Sequence, residues 1–181
     1  MDGTGDREAA GNLGREALAH ADALYNLARY LSRNDTEAED LVQETYSRAL
    51  RGATQFTPGT NLKAWLFRIL RNTFISQYRR EGNNPTVGGL DTVALPAQRP
   101  ADIGWLRDEV ELDRLRKVVA EEIERALMTL SEDARTVILL DLEGFSESEA
   151  ALIMGCAVGT IKSRLSRART SLRSVLKDWR N

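Results

Sequence analysis

Between Ala150 and Lys177 the chain carries six basic side chains, Lys162, Arg164, Arg167, Arg169, Arg173 and Lys177, and no acid. Guanidinium and ammonium groups at this density suit phosphate, and the interspersed Ser163 and Ser166 add hydroxyls for hydrogen bonding. A second acid-free block runs from Thr45 to Arg80 with seven bases: Arg48, Arg51, Lys63, Arg68, Arg71, Arg79 and Arg80. Its later part, from Phe56 on, also holds Phe56, Trp65, Phe67, Phe74 and Tyr78, five of the chain's eleven aromatic residues. Bases interleaved with aromatics suit single-stranded nucleic acid, whose exposed bases stack on rings. For Trp65, Phe67 and Phe74 a place in the core competes with that role. Acid is concentrated elsewhere. Asp35 to Glu44 has five acids and no base, and Asp102 to Asp133 has ten acids against five bases. A net charge of -2 therefore conceals blocks of opposite sign, which implies surfaces for different partners.

Other chemistry is poorly supplied. His20 is the only histidine and Cys156 the only cysteine, which leaves no disulfide framework, no multi-His site and no Cys cluster for metal. No nucleophile–base pair or phosphate-cradling glycine loop is visible, so the expectation is a non-enzyme without a cofactor. Cys156 reads as a small packed side chain at a turn. The N-terminal "MDGTGDREAAGN" has no signal-peptide pattern, and no apolar run approaches the ~18 residues a membrane span needs. With no disulfides expected, the cytoplasm is the expected compartment. A hydrophobic fraction of 42% with 29% charged residues is that of a globular chain.

The elements that must position the two basic blocks are helical. Residues 1–12 read as a disordered tail. Leu24, Leu27, Ala28 and Leu31 predict the inner face of a helix from near Leu13 to Leu31. Thr36 with Glu39 matches a capping box ahead of a helix ending near Leu50, whose inner face is Ala38, Leu41, Val42, Thr45 and Ala49. "RGATQFTPGTN" reads as a loop, and a third helix runs from Thr60 or Asn61 to Arg80. Its core side is Leu62, Leu66, Ile69, Leu70 and Thr73, while Asn61, Ala64, Arg68, Arg71, Asn72, Ile75 and Arg79 gather on another side. Proline- and glycine-rich residues 82–106 predict a linker. Residues 107–181 then form a second domain: a helix from Arg107 to Met128, a Ser131-capped helix ended by Gly144, and a short helix with a Ser146/Glu149 capping box. Gly155 makes a tight turn, and a last helix begins near Val158 with Ile161, Leu165, Ala168, Leu172 and Leu176 as its apolar seam. The fold class is all-α, with two small helical domains (13–81 and 107–181), the second a helix-turn-helix whose outward edge reads DNA.

In this order "AEDLVQETYSRAL", "GTNLKAWLFRILRNTFISQYRR" and "GCAVGTIKSRLSRAR" resemble the extracytoplasmic-function, or group 4, sigma factors of bacterial RNA polymerase. The resemblance covers roughly residues 20–80 and 115–178 and implies a sigma-2 and a sigma-4 domain. It also implies that the helix of "EDLVQET" docks on the β′ coiled coil of core polymerase, through Asp40, Leu41, Gln43 and Glu44. The loop with Phe56, Gly59, Thr60 and Asn61 is similar to the family's pocket for a flipped −10 base, and Lys63, Trp65, Arg68, Arg71, Asn72 and Arg79 follow the non-template strand. Thr160, Lys162, Ser163, Arg164, Ser166, Arg167 and Arg169 match positions that read the −35 element in the major groove. Further partners implied are the β flap, which the second domain would contact, and a cognate anti-sigma factor. Many relatives have proline after the turn cysteine where this chain has Ala157, which leaves the start of the last helix less rigidly fixed. A sigma mimic that only sequesters an anti-sigma factor would not need the basic helix. A stand-alone repressor would not need the aromatic and basic first domain.

Overall fold

A computed structural model describes the backbone over residues 3–82 and 107–178, and side chains within residues 11–77 and 116–177. Among the described residues there are eight α-helices and no strand. Helices α1 (Gly3–Leu18), α2 (Ala21–Ser32), α3 (Asp35–Arg51) and α4 (Leu62–Gly82) build the first domain. Helices α5 (Arg107–Met128), α6 (Glu132–Leu142), α7 (Glu147–Met154) and α8 (Val158–Asp178) build the second. Most of the expected linker lies outside the described residues.

Three expectations about the first domain are corrected. Residues 3–12 are helical, because Glu8, Ala9 and Ala10 are strong helix formers that continue α1 beyond Leu13 and Ala17, both buried. The tyrosine hydroxyl of Tyr46 donates to the Ala17 carbonyl at 3.1 Å and ties α1 to α3. The expected single helix to Leu31 is divided at Ala19 and His20, whose amides bond three residues back to Glu16 and Ala17. On either side of this tighter turn, α1 and α2 both pack on α3. The cap of α3 is Asn34 in place of Thr36: its Oδ1 accepts from the Glu37 amide at 3.2 Å. Asn34 wins because Arg33 has already left the helical region, at φ +60°, and Asn34 is extended.

Helical periodicity places the rest. Leu24, Leu27, Ala28 and Leu31 of α2, Ala38, Leu41, Thr45 and Ala49 of α3, and Leu62, Leu66, Leu70 and Thr73 of α4 are buried together. Val42 and Ile69, expected on those inner faces, are only partly buried. The two buried threonines return their hydroxyls to their own helices, Thr45 to Leu41 (2.7 Å) and Thr73 to Ile69 (2.8 Å), so burial leaves no donor unpaired.

In the second domain Ser131 accepts from the Ala134 amide, and Ser146 and Glu149 form a reciprocal capping box. Gly155 adopts φ +63°, a left-handed value glycine tolerates without the Cβ penalty of other residues. It ends α7 and opens the short turn through Cys156 and Ala157 to α8. Ile161, Leu165 and Ala168 of α8 bury against the helices below, and Leu172 is partly buried. Leu176 departs from the expected seam at 38% exposure, in the last turns of the helix.

The two domains pack directly on one another. Helix α4 lies against α7, and α2 against α6, in one continuous apolar core. Phe67 of α4 is completely buried because Phe145, in the α6–α7 turn, meets it edge-on at 4.9 Å between ring centres. Among the described residues no helix is long and apolar enough to cross a membrane.

Candidate nucleic-acid interface

The loop before α4 is short and defined. Residues Ala53–Gln55 form one 3-10 turn that Phe56 ends, and Phe56 stacks in a tilted arrangement on Trp65 of α4, 5.3 Å between ring centres. Gly59 follows with φ +86°, and the Thr60 hydroxyl donates to the Thr57 carbonyl at 2.7 Å. Asn61 then caps α4 by accepting from the Ala64 amide at 3.0 Å. The loop is thus closed by its own hydrogen bonds, and Thr60 and Asn61 are exposed at its end.

The expected strand-tracking face of α4 is split by the structure. Arg68 and Asn72 are exposed, while Lys63 and Arg71 turn toward the second domain. Lys63 Nζ donates to Glu143, to the carboxylate at 2.7 Å and to the backbone carbonyl at 3.0 Å. The same ammonium lies 5.1 Å from the centre of the Phe145 ring, within cation–π range. Arg71 reaches the Asp133 carboxylate at 3.6 Å. Arg79 belongs to α4, and its side chain lies outside the described residues.

Helix α8 presents its edge more simply. Lys162, Ser163, Ser166, Arg167 and Arg169 are exposed on the side opposite Ile161, Leu165 and Ala168. Thr160 is half-buried one turn inside the helix start. Arg164 is held at 2.6 Å by Asp133, Arg169 at 2.7 Å by Asp141, and Lys162 at 3.5 Å by Glu147. Cys156 is half-buried with its sulfur 3.9 Å from an Arg164 nitrogen. Among the described residues no group of three His, Cys, Asp or Glu side chains is placed to hold a metal ion.

On α3 the acidic segment divides by helical phase. Asp40 and Gln43 are exposed and Glu44 is partly so, but Leu41 is 1% exposed and belongs to the core. Leu41 is therefore removed from the expected contact set, since nothing outside the domain can reach it without unfolding α3. The hydrogen bond from Arg48 Nε at 2.6 Å holds the Glu44 carboxyl below the usual range, with the charges of Arg48 and Arg51 adding to it.

A capped helix, a glycine turn and a basic helix, next to a second basic helical domain, define a two-domain helix-turn-helix protein. Residues 17–84 match the sigma-70 region 2 family and residues 120–172 match sigma-70 region 4. The extracytoplasmic-function RNA polymerase sigma factor EcfG of Rhodopseudomonas palustris is 41% identical over 162 residues, spanning 89% of this chain and 83% of that protein. The sigma factor SigM of Mycobacterium tuberculosis is 34% identical across 95% of this chain and 79% of its own length. Among solved structures, the sigma factor RpoE of Bartonella quintana, crystallised with the anti-sigma factor NepR, is 41% identical with a TM-score of 0.68, covering 90% of this chain and 95% of that one. The chain belongs to the extracytoplasmic-function RNA polymerase sigma factors.

Proposed function

We propose that the chain directs core RNA polymerase to promoters with −35 and −10 elements and nucleates their opening. The observation that carries this reading is the exposed edge of α8, Lys162, Ser163, Ser166 and Arg167, delivered by the Gly155 turn. A helix so presented enters the major groove, where guanidiniums pair with guanine edges and hydroxyls with phosphates. Thr160, Arg164 and Arg169 flank that edge. The loop from Phe56 to Asn61 receives a −10 base out of the stack, and Arg68 and Asn72 follow the displaced strand. Asp40, Gln43 and Glu44 offer acidic and amide groups to a basic surface of the polymerase. By likeness to the Bartonella protein, an anti-sigma factor is a further partner.

Purified protein added to active core polymerase is expected to yield promoter-specific transcripts in a genome-wide run-off screen. Absence of any such transcript would reject the reading. Within it, Arg167→Ala is expected to weaken binding of the holoenzyme to a −35 duplex by about 1–3 kcal/mol, measured by fluorescence anisotropy. Unchanged affinity would move base reading to another part of α8.

A further inference from the structure

Three of the groups expected to meet DNA at the start and along α4, Asn61, Lys63 and Arg71, are met by acids of the other domain. Asn61 Nδ2 donates to Glu149 Oε1 at 2.6 Å, across 88 residues of sequence. Lys63 meets Glu143 and Arg71 meets Asp133. Asp133 also takes Arg164 of α8, so one carboxylate holds a base from each DNA-facing helix. Asp141 and Glu147 hold Arg169 and Lys162. The acids along α6 and α7 thus engage part of each basic face, while Arg68, Asn72 and Arg167 stay exposed.

We infer that the acidic edge of α6–α7 is an internal competitor for promoter DNA, latching the two domains through Asn61–Glu149 and Lys63–Glu143. The inference rests on the proposed sigma-factor reading for the identity of the competing ligand. Its physics is a two-state balance. In the closed state carboxylates of the second domain satisfy Asn61 and Lys63. In the open state the same groups are free for a phosphate backbone or a base edge. Partly exposed ion pairs are individually weak, so the latch is a small term that DNA and polymerase can overcome together. The apparent affinity for DNA falls by the fraction of molecules that are open. Glu149 is held in place for the role by the Ser146 amide and hydroxyl, which together with Asn61 also hold its carboxyl below the usual range. A charged acceptor binds the Asn61 amide more strongly than a neutral one.

The test replaces both bridging acids, E143Q/E149Q, because glutamine keeps the shape and can still serve a capping box. Dyes are attached at S47C and S174C, both exposed positions, in a C156S background. Energy transfer between them reports domain separation without reference to transcription. The double variant is expected to lose transfer relative to wild type. It should also bind a random-sequence single-stranded DNA of about 15 nucleotides roughly 5- to 10-fold more tightly at low salt. E147Q removes one charge from the same domain but faces only Lys162 of that domain, so its transfer should equal that of wild type. Unchanged transfer in the double variant would overturn the latch. Lost transfer without tighter DNA binding would overturn the competition. Failure of the sigma-factor reading is seen separately, as no promoter-specific transcript from core polymerase with any of the proteins, while the transfer result stands.

Discussion

Phe67→Ala is expected to cost about 3–5 kcal/mol in unfolding free energy, the range for removing a fully buried phenyl ring from a packed core. Phe67 is 0% exposed and has two sets of neighbours. From its own domain it joins the cluster of Leu62, Leu66 and Leu70, and across the domain boundary it meets the Phe145 ring. Removing the ring leaves a void bounded by two domains and takes one of two aromatic faces away from Lys63, 5.7 Å from the ring centre. Urea unfolding followed by circular dichroism measures the loss. A change below about 1 kcal/mol would mean that the cavity collapses and that Phe145 does not depend on Phe67 for its place.

The second large effect is expected at Arg135. It is 2% exposed, and among the described residues its hydrogen bonds go to three backbone carbonyls and to no carboxylate. Nε donates to the Leu127 carbonyl at 3.1 Å, Nη2 to Leu130 at 3.0 Å and Nη1 to Tyr30 of the first domain at 3.1 Å. Burial pushes its pKa down, and the charge of Arg33 adds to that, but a guanidinium starts high enough to stay protonated. Arg135→Met keeps most of the volume and removes all three donors. Leu127 retains the Leu130 amide at 3.1 Å, whereas the Leu130 and Tyr30 carbonyls lose the bonds the guanidinium gives them. At about 1–3 kcal/mol for each buried group left unsatisfied, a loss of about 3 kcal/mol is expected in the same urea experiment. Arg135→Lys should recover only part of it, because one ammonium cannot span three carbonyls in a planar fork. Full recovery with lysine would show that charge alone matters there.

Much of the fold was legible because its signals are local. The Ser146/Glu149 box, the Ser131 cap and the Gly155 turn each need only a few neighbouring residues, and all three stand in the structure as the sequence implies. The apolar seam of α8 was equally readable as far as Ala168. Local rules also misled where two were satisfied at once: Asn34 and Thr36 are both good caps, and the left-handed Arg33 decides between them. Arg135 was invisible for a different reason. In "EDARTVILLDL" an arginine beside two acids reads as a solvated surface residue, and only the approach of α2 encloses it. The candidate interface shows the same limit. The basic block marked Lys63 and Arg71 as partners for phosphate, and the resemblance marked Asn61 as part of a base pocket, but the acids that meet all three lie far off along the chain. No local pattern encodes a pairing 80 or 88 residues apart.

Glu149 has two duties that pull on each other. One carboxylate oxygen receives the Ser146 amide and hydroxyl at 2.8 Å and fastens the first turn of α7; the other receives Asn61. The first turn of α7 and one of the bonds between the two domains therefore depend on the same side chain. Most substitutions there would fray α7 before they could loosen the domains, so inherited variation has few ways to alter one without the other. Glutamine is among the few replacements that preserve the turn, and the route to a permanently open descendant is correspondingly narrow.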